Sequence, residues 1–155
     1  MTYYLIRHGK TDASDFDRAK YGAQGAPLND IGILQAERLR NDLAKHGIIP
    51  ADTEVASSEL LRAVQTAQQA GFVHINTNAL LNEINTGDIQ TTIKLLLEGK
   101  VPNLALERAE AILNNPPKAK VWVTHGLVIA AVRYVLGMTE GALEPENCGI
   151  VKINI

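Results

Sequence analysis

Apolar residues follow two rhythms along this chain. Short continuous runs rich in β-branched and aromatic residues occur at Thr2–Arg7 (TYYLIR), Thr53–Ser57, Phe72–Thr77, Lys120–Thr124 (KVWVT) and Gly149–Ile155. Runs of that length and composition predict buried strands. Between them the spacing turns helical. Ala36, Leu39 and Leu43 recur after Asn29, a capping residue, and the pattern stops at Gly47. Ser58 predicts the cap of a helix through Ala70, with Leu60, Val64 and Ala67 on its inner face and Gly71 behind it. Ile89, Ile93 and Leu97 stand at i, i+4 and i+8 and close at Gly99, with Asp88 at the helix start. Asn103 predicts another cap, for a helix ending before Pro116-Pro117, and Gly126–Leu136 reads as an apolar helix stopped by Gly137. Residues 9–28 and 78–88 read as loops.

Strands alternating with helices predict an α/β three-layer sandwich: a mainly parallel sheet with helices on both faces. A length of 155 residues suits a single domain, 1–155. In such a fold ligands bind beyond the carboxyl ends of the strands. Arg7 and His8 stand at the end of the first run, and His125 ends KVWVT, followed by Gly126 and a helix start. Arg62 falls in the first turns of the helix after the second strand, and Glu83 in the loop after the third. A parallel sheet brings all of them to one edge. Clustered cations repel, and an anion between them relieves the cost. Arginine's planar fork matches phosphate oxygens, and the helix start at Gly126 adds N–H donors. The set therefore predicts a phosphate pocket. A neutral imidazole is nucleophilic, which makes His8 a candidate for covalent chemistry, and Gly9 beside it admits a close approach of substrate.

Charge and composition narrow the partners. The net charge of −2 carries no broad basic field, which excludes nucleic acid as the expected partner. No apolar run approaches the ~20 residues of a membrane span, and MTYYLIRHGK lacks the features of a secretory signal. Cys148 is the single cysteine, so no internal disulfide forms and a reducing, cytoplasmic setting is expected. It is read as a buried small side chain. His46, at a helix end, and His74 are read as structural, and neither stands at zinc-ligand spacing with Cys148, so no metal or other cofactor is expected. Trp122 is assigned to the core, and Lys94 and Lys100 to a solvated helix face.

Several segments in order resemble one family. LIRHGKT, GAQGAPLNDIGILQAERL, SSELLRAVQTA, LLNEINTGDIQ, VWVTHGLVIAAV and PENCGIVKI are similar to successive motifs of the histidine phosphatase superfamily, which includes the cofactor-dependent phosphoglycerate mutases. The resemblance implies a phosphoglycerate mutase-like sandwich in which His8 attacks phosphorus. Arg7, Arg62 and His125 would hold the phosphoryl oxygens, and Glu83 would protonate the leaving oxygen and later activate water. Gly9, Ser14 and Gly126 would belong to the substrate-binding set. The chain departs from the family pattern at Ser14, where asparagine is frequent, at Lys10, where an acid is usual, and at Gly25, where aspartate is common. The Glu83 block also lacks the tryptophan-glutamate pair that often follows its glycine.

The resemblance implies a metal-independent phosphatase that acts on a small phosphorylated metabolite through a phosphohistidine. The segment between Glu83 and His125 is short, which leaves little lid to exclude water and favours hydrolysis over a mutase. An acid at Glu83 suits phosphate esters, whose alkoxides need a proton, over phosphohistidine in proteins. A phosphoglycerate mutase, a protein phosphohistidine phosphatase and a non-catalytic phosphate-binding module on an inherited fold are the other readings. The sequence carries no indication of oligomeric state.

Overall fold

In the first strand, β1 (Thr2–Arg7), alternate side chains enter different cores: Tyr3 and Leu5 pack on one side and Ile6 on the other. This is the period-2 geometry of a strand covered on both faces. The computed structural model describes residues 1–12 and 18–155, so Ser14 lies outside the described residues. After β1 come a short helical turn α1 (Arg18–Tyr21), α2 (Asp30–Ala44), β2 (Glu54–Ser57) and α3 (Leu61–Gln69). Then follow β3 (His74–Thr77), α4 (Ile89–Leu97), α5 (Asn103–Asn114), β4 (Val121–Thr124), α6 (Gly126–Val135) and β5 (Ile150–Asn154).

The sheet order is β3-β2-β4-β1-β5. The first four strands run parallel, and β5 pairs antiparallel with β1. On one face α5 and α6 cover Leu5 and Trp122, whose ring lies 4.8 Å from that of Tyr3. On the other, α2 and α3 cover Ile6, Val55, Val121 and Val123. The chain leaves β1 for α2 on one face and leaves β4 for α6 on the opposite face. The adjacent ends of β1 and β4 are therefore a topological switch point, where a crevice opens. His8 and His125 follow those two ends directly.

Most of the expected elements are present, with local differences. Asn29 caps α2 by accepting from the Gly32 N–H at 2.8 Å, and Asp88 caps α4 by accepting from Thr91 at 3.0 Å. Ser58 does not cap α3; Leu60, which has no polar side-chain atom, holds that position, and Ser58 Oγ accepts from the Leu60 N–H at 3.1 Å. The inner face of α3 is Arg62, Ala63, Thr66 and Ala67, and Val64 is only partly covered. Asn103 is the first residue of α5, with Pro102 before it and no side-chain cap. The third strand starts at His74, since Phe72 N–H closes the end of α3 on the Ala67 carbonyl.

Trp122 and Cys148 are buried as expected, and burial pushes the Cys148 thiol up to about 12. The His46 ring lies tilted against Tyr4 with centroids 5.2 Å apart, and Lys94 and Lys100 are exposed. No helix among the described residues is long and apolar enough to cross a membrane.

Candidate functional site

His8 leaves β1 with its backbone tied on both sides. Its N–H donates to Thr124 O at 3.0 Å, and its carbonyl accepts from Asn147 Nδ2 at 3.0 Å. The next N–H, of Gly9, donates to Thr66 Oγ1 at 2.9 Å, and the Thr66 hydroxyl donates onward to Arg62 O at 2.7 Å. The requirement for glycine at position 9 comes from packing: a Cβ there would lie 2.7 Å from the carbonyl oxygen of Gly32 in α2. Its φ is not positive, so no unusual backbone angle is involved.

These ties set the His8 ring. Nδ1 lies 2.7 Å from Gly9 O, and a carbonyl only accepts, so Nδ1 carries the proton. Nε2 then keeps a lone pair, which accepts from Arg62 Nε at 3.3 Å. Burial pushes the imidazole down to about 3, with the charges of Arg62 and Arg7 acting the same way against the opposing Gly9 hydrogen bond. At neutral pH His8 is a neutral base beside two fixed cations.

Arg62 is buried at 3% exposure and reaches Glu83 Oε2 at 3.7 Å. Glu83 Oε2 is also 3.6 Å from His125 Nδ1, and Glu83 Oε1 accepts from Ile84 N–H at 3.1 Å. Burial raises the Glu83 pKa against the pull of Arg62. The Glu83 loop is held from below. Arg108 Nη1 donates to Leu80 O at 3.0 Å and Asn82 O at 2.7 Å, and Thr124 Oγ1 donates to Leu81 O at 2.6 Å.

His125 is fully buried, with its ring 5.1 Å from that of His8 in an edge-on arrangement. Its Nε2 meets Ser58 Oγ at 2.8 Å, while Nδ1 is a buried nitrogen without a hydrogen-bond partner. Burial, then the charge of His8 and the arginines, drives its pKa well below the ordinary histidine value. Arg7 Nη1 donates to Pro145 O at 2.8 Å and stands 3.5 Å from Glu144 Oε2. Its Nε is buried and unpaired.

The structure thus gathers Arg7, His8, Arg62, Glu83 and His125: Arg7, His8, Glu83 and Gly126 line one crevice, and Arg62 and His125 are buried behind His8 and Glu83. Gly9 lies behind His8 rather than on the wall of that crevice. The pocket holds about 430 Å³ and is walled further by the loop after Glu83 and by α4. Sequence reasoning missed Ser58, Thr66, Glu144 and Asn147. The motif SSELLRAVQTA contained the first two, but only as a cap and a helical position.

Chemically the arrangement offers a neutral imidazole lone pair, two guanidinium groups with an unpaired Nε, and a carboxyl that resists ionisation. These are the parts needed to bind a phosphoryl group, attack it and deliver a proton.

The family model of the histidine phosphatase superfamily (branch 1) matches residues 3–104. A solved phosphoglycerate mutase from Thermus thermophilus is 27% identical, covering 99% of this chain and 93% of that one, with a TM-score of 0.68. A phosphoserine phosphatase mutant from Entamoeba histolytica, solved with phosphoserine, is 21% identical over 97% of this chain and 89% of that one. Its TM-score of 0.62 expresses likeness of fold. The agropine synthesis reductase of Rhizobium rhizogenes is 30% identical over 155 residues, covering 88% of this chain and 35% of that protein. The chain spans about a third of the length of the curated relatives it matches.

Proposed function

The chain belongs to the histidine phosphatase superfamily, and from that premise we propose that it hydrolyses phosphate monoesters of small molecules through a phosphohistidine on His8. The observation that carries this reading is the state of the His8 ring. Its proton is committed to Gly9 O at 2.7 Å, which makes Nε2 the nitrogen that carries the nucleophilic lone pair.

In the free protein Arg62 Nε–H occupies that lone pair. Phosphate oxygens are stronger acceptors for a guanidinium than an imidazole nitrogen, so a bound phosphoryl group draws Arg62 onto itself and uncovers Nε2. Arg7, with its Nε unpaired, offers a second fork. His8 Nε2 then forms the N–P bond as the P–O bond to the alcohol breaks. Glu83, whose burial favours its protonated form, gives its proton to the departing oxygen and becomes a carboxylate. Water next attacks the phosphohistidine, Glu83 takes back a proton, and inorganic phosphate leaves with His8 restored. Arg7, Arg62 and the N–H groups at the start of α6 offset the charge that spreads over the equatorial oxygens.

We favour hydrolysis over mutase chemistry because the described cover of the crevice is only residues 84–88 and the half-exposed α4, which leaves water a way in. Incubation with 3-phosphoglycerate and a trace of 2,3-bisphosphoglycerate is expected to give inorganic phosphate or no reaction, and interconversion of the monophosphates overturns the preference.

The direct test is capture of the intermediate. Mixing the protein with a labelled phosphomonoester and quenching in alkali is expected to leave label on His8, stable to base and released by acid. His8→Ala is expected to give neither adduct nor phosphate. Phosphate release from His8→Ala at the rate of the wild type defeats the proposal.

A further inference from the structure

We propose that the pocket selects esters whose alcohol portion is uncharged and largely apolar, and that Glu144 turns away alcohols carrying a second anion. This deepens the phosphatase reading and rests on it for the position of the phosphoryl group.

The pocket has two unlike ends. Arg7 and His8 stand at one, and Arg7 is the sole cation lining it among the described residues. The remaining wall sets Ile84, Ile89, Ile93, Leu96 and Leu127 among the uncharged polar side chains of Asn85, Thr86 and Thr92. Three of those come from α4, a helix none of whose residues is fully buried. Ile89 is left 57% exposed and Ile93 51%. Apolar surface held open to water on the rim of a cavity gains free energy when a ligand covers it. The wall is continuous with the cationic end, so a molecule anchored there by its phosphate lays its alcohol portion along α4. The occupant of this face is therefore the substrate itself.

Glu144 adds a charge rule. Its Oε2 is 3.5 Å from Arg7 Nη1, and it lies only 2.6 Å from where a Cβ on Gly126 would stand. The glycine makes room for this carboxylate against the start of α6, on the pocket wall. A phosphoryl group at this end meets Arg7 on the wall and Arg62 behind His8, which together offset Glu144. A second phosphate or a carboxylate further along meets apolar and uncharged polar side chains, finds no lysine or arginine among the described residues of the wall, and shares the pocket with the charge of Glu144 beside Arg7. Like-charge proximity at a partly dehydrated surface is penalised more than in bulk water.

The test uses two ligand pairs matched in length. Hexyl phosphate is expected to show kcat/KM at least about tenfold above that of 6-(phosphonooxy)hexanoate. Glu144→Gln is expected to narrow that ratio at least about threefold by raising the anionic ester. Ile93→Ser is expected to lower the ratio of hexyl to methyl phosphate turnover. Calorimetry with hexylphosphonate and 5-carboxypentylphosphonate repeats the comparison without requiring chemistry. Selective phosphonate binding without release from either ester sinks the phosphatase reading and leaves the selection standing. Turnover with equal kcat/KM and equal affinities sinks the selection and leaves the phosphatase. Absence of both binding and turnover removes both.

Discussion

The Ser58 hydroxyl lies 2.8 Å from His125 Nε2, and the bonds around it fix which nitrogen of that histidine carries the proton. Asn82 Oδ1 accepts from the Glu59 N–H at 2.8 Å, so it is the oxygen of the amide, and Ser58 must give its own hydrogen to it at 3.1 Å. The two lone pairs of Ser58 Oγ then receive Leu60 N–H at 3.1 Å and His125 Nε2–H. His125 Nδ1 is left bare and faces Glu83. Ser58→Ala strands a buried N–H and frees the ring to rotate. A stability loss of about 1–3 kcal/mol in urea unfolding is expected, with a fall in kcat/KM for a phosphomonoester. Wild-type values for both would show that the tautomer argument has no consequence.

On the proposed mechanism Glu83 sets the alkaline side of the pH profile. Its pKa is raised chiefly by burial. The protonated form, which gives the leaving alcohol its proton, therefore persists above the ordinary carboxyl range and is lost as pH climbs through the shifted value. Turnover of alkyl phosphates is expected to decline there. Glu83→Gln is expected to remove that limb and cost about 10²–10⁴ in kcat for an alkyl ester. The loss should be much smaller for 4-nitrophenyl phosphate, whose phenoxide departs without help. Equal losses for both esters would mean that Glu83 is not the acid.

His8 makes the fold sensitive to acid. The folded imidazole sits at about 3, against 6.5 when exposed. Between these values the unfolded chain binds a proton that the native state refuses, so stability drops as pH falls from 6.5 toward 3. One such group contributes about 1.4 kcal/mol per pH unit well inside that window. Burial pushes His125 the same way. Glu83, shifted upward, acts oppositely and favours the native state as acid protonates it. Denaturant melts at several pH values should give a shallower acid slope for His8→Asn than for wild type. An unchanged slope would falsify this assignment.

Thr66 ties two catalytic segments together through a single oxygen, receiving Gly9 N–H at 2.9 Å and donating to Arg62 O at 2.7 Å. Thr66→Val keeps the shape and leaves the Gly9 N–H with no acceptor. The expected cost is about 1–3 kcal/mol of stability, with reduced affinity for inorganic phosphate by calorimetry. A variant matching wild type in both would mean that the tie is dispensable.

The sheet rule made the centre of this site legible. Arg7, His8 and His125 are at strand ends, and a parallel sheet must bring such ends together. Glu83 and Arg62 follow for the same reason, one element further on. What stayed hidden are contacts between loops that share no periodicity. Ser58 reads as a helix cap because serine before a helical run usually caps it, whereas here its oxygen serves the Leu60 N–H and His125 Nε2. The inner face of α3 was misread because hydropathy points Leu60 and Val64 inward, while the ion cluster draws Arg62 in instead. Glu144 and Asn147 lie beyond the last helix, and nothing in their spacing connects them to residues near the beginning of the chain.

The backbone at His8 hangs from three remote stretches: Thr124 at the centre of the sheet, Thr66 through Gly9, and Asn147 just ahead of the closing strand. A half-assembled molecule, however condensed, has no way to aim that imidazole. On the proposed mechanism, regain of phosphomonoester turnover during refolding should therefore trail the recovery of helical circular dichroism.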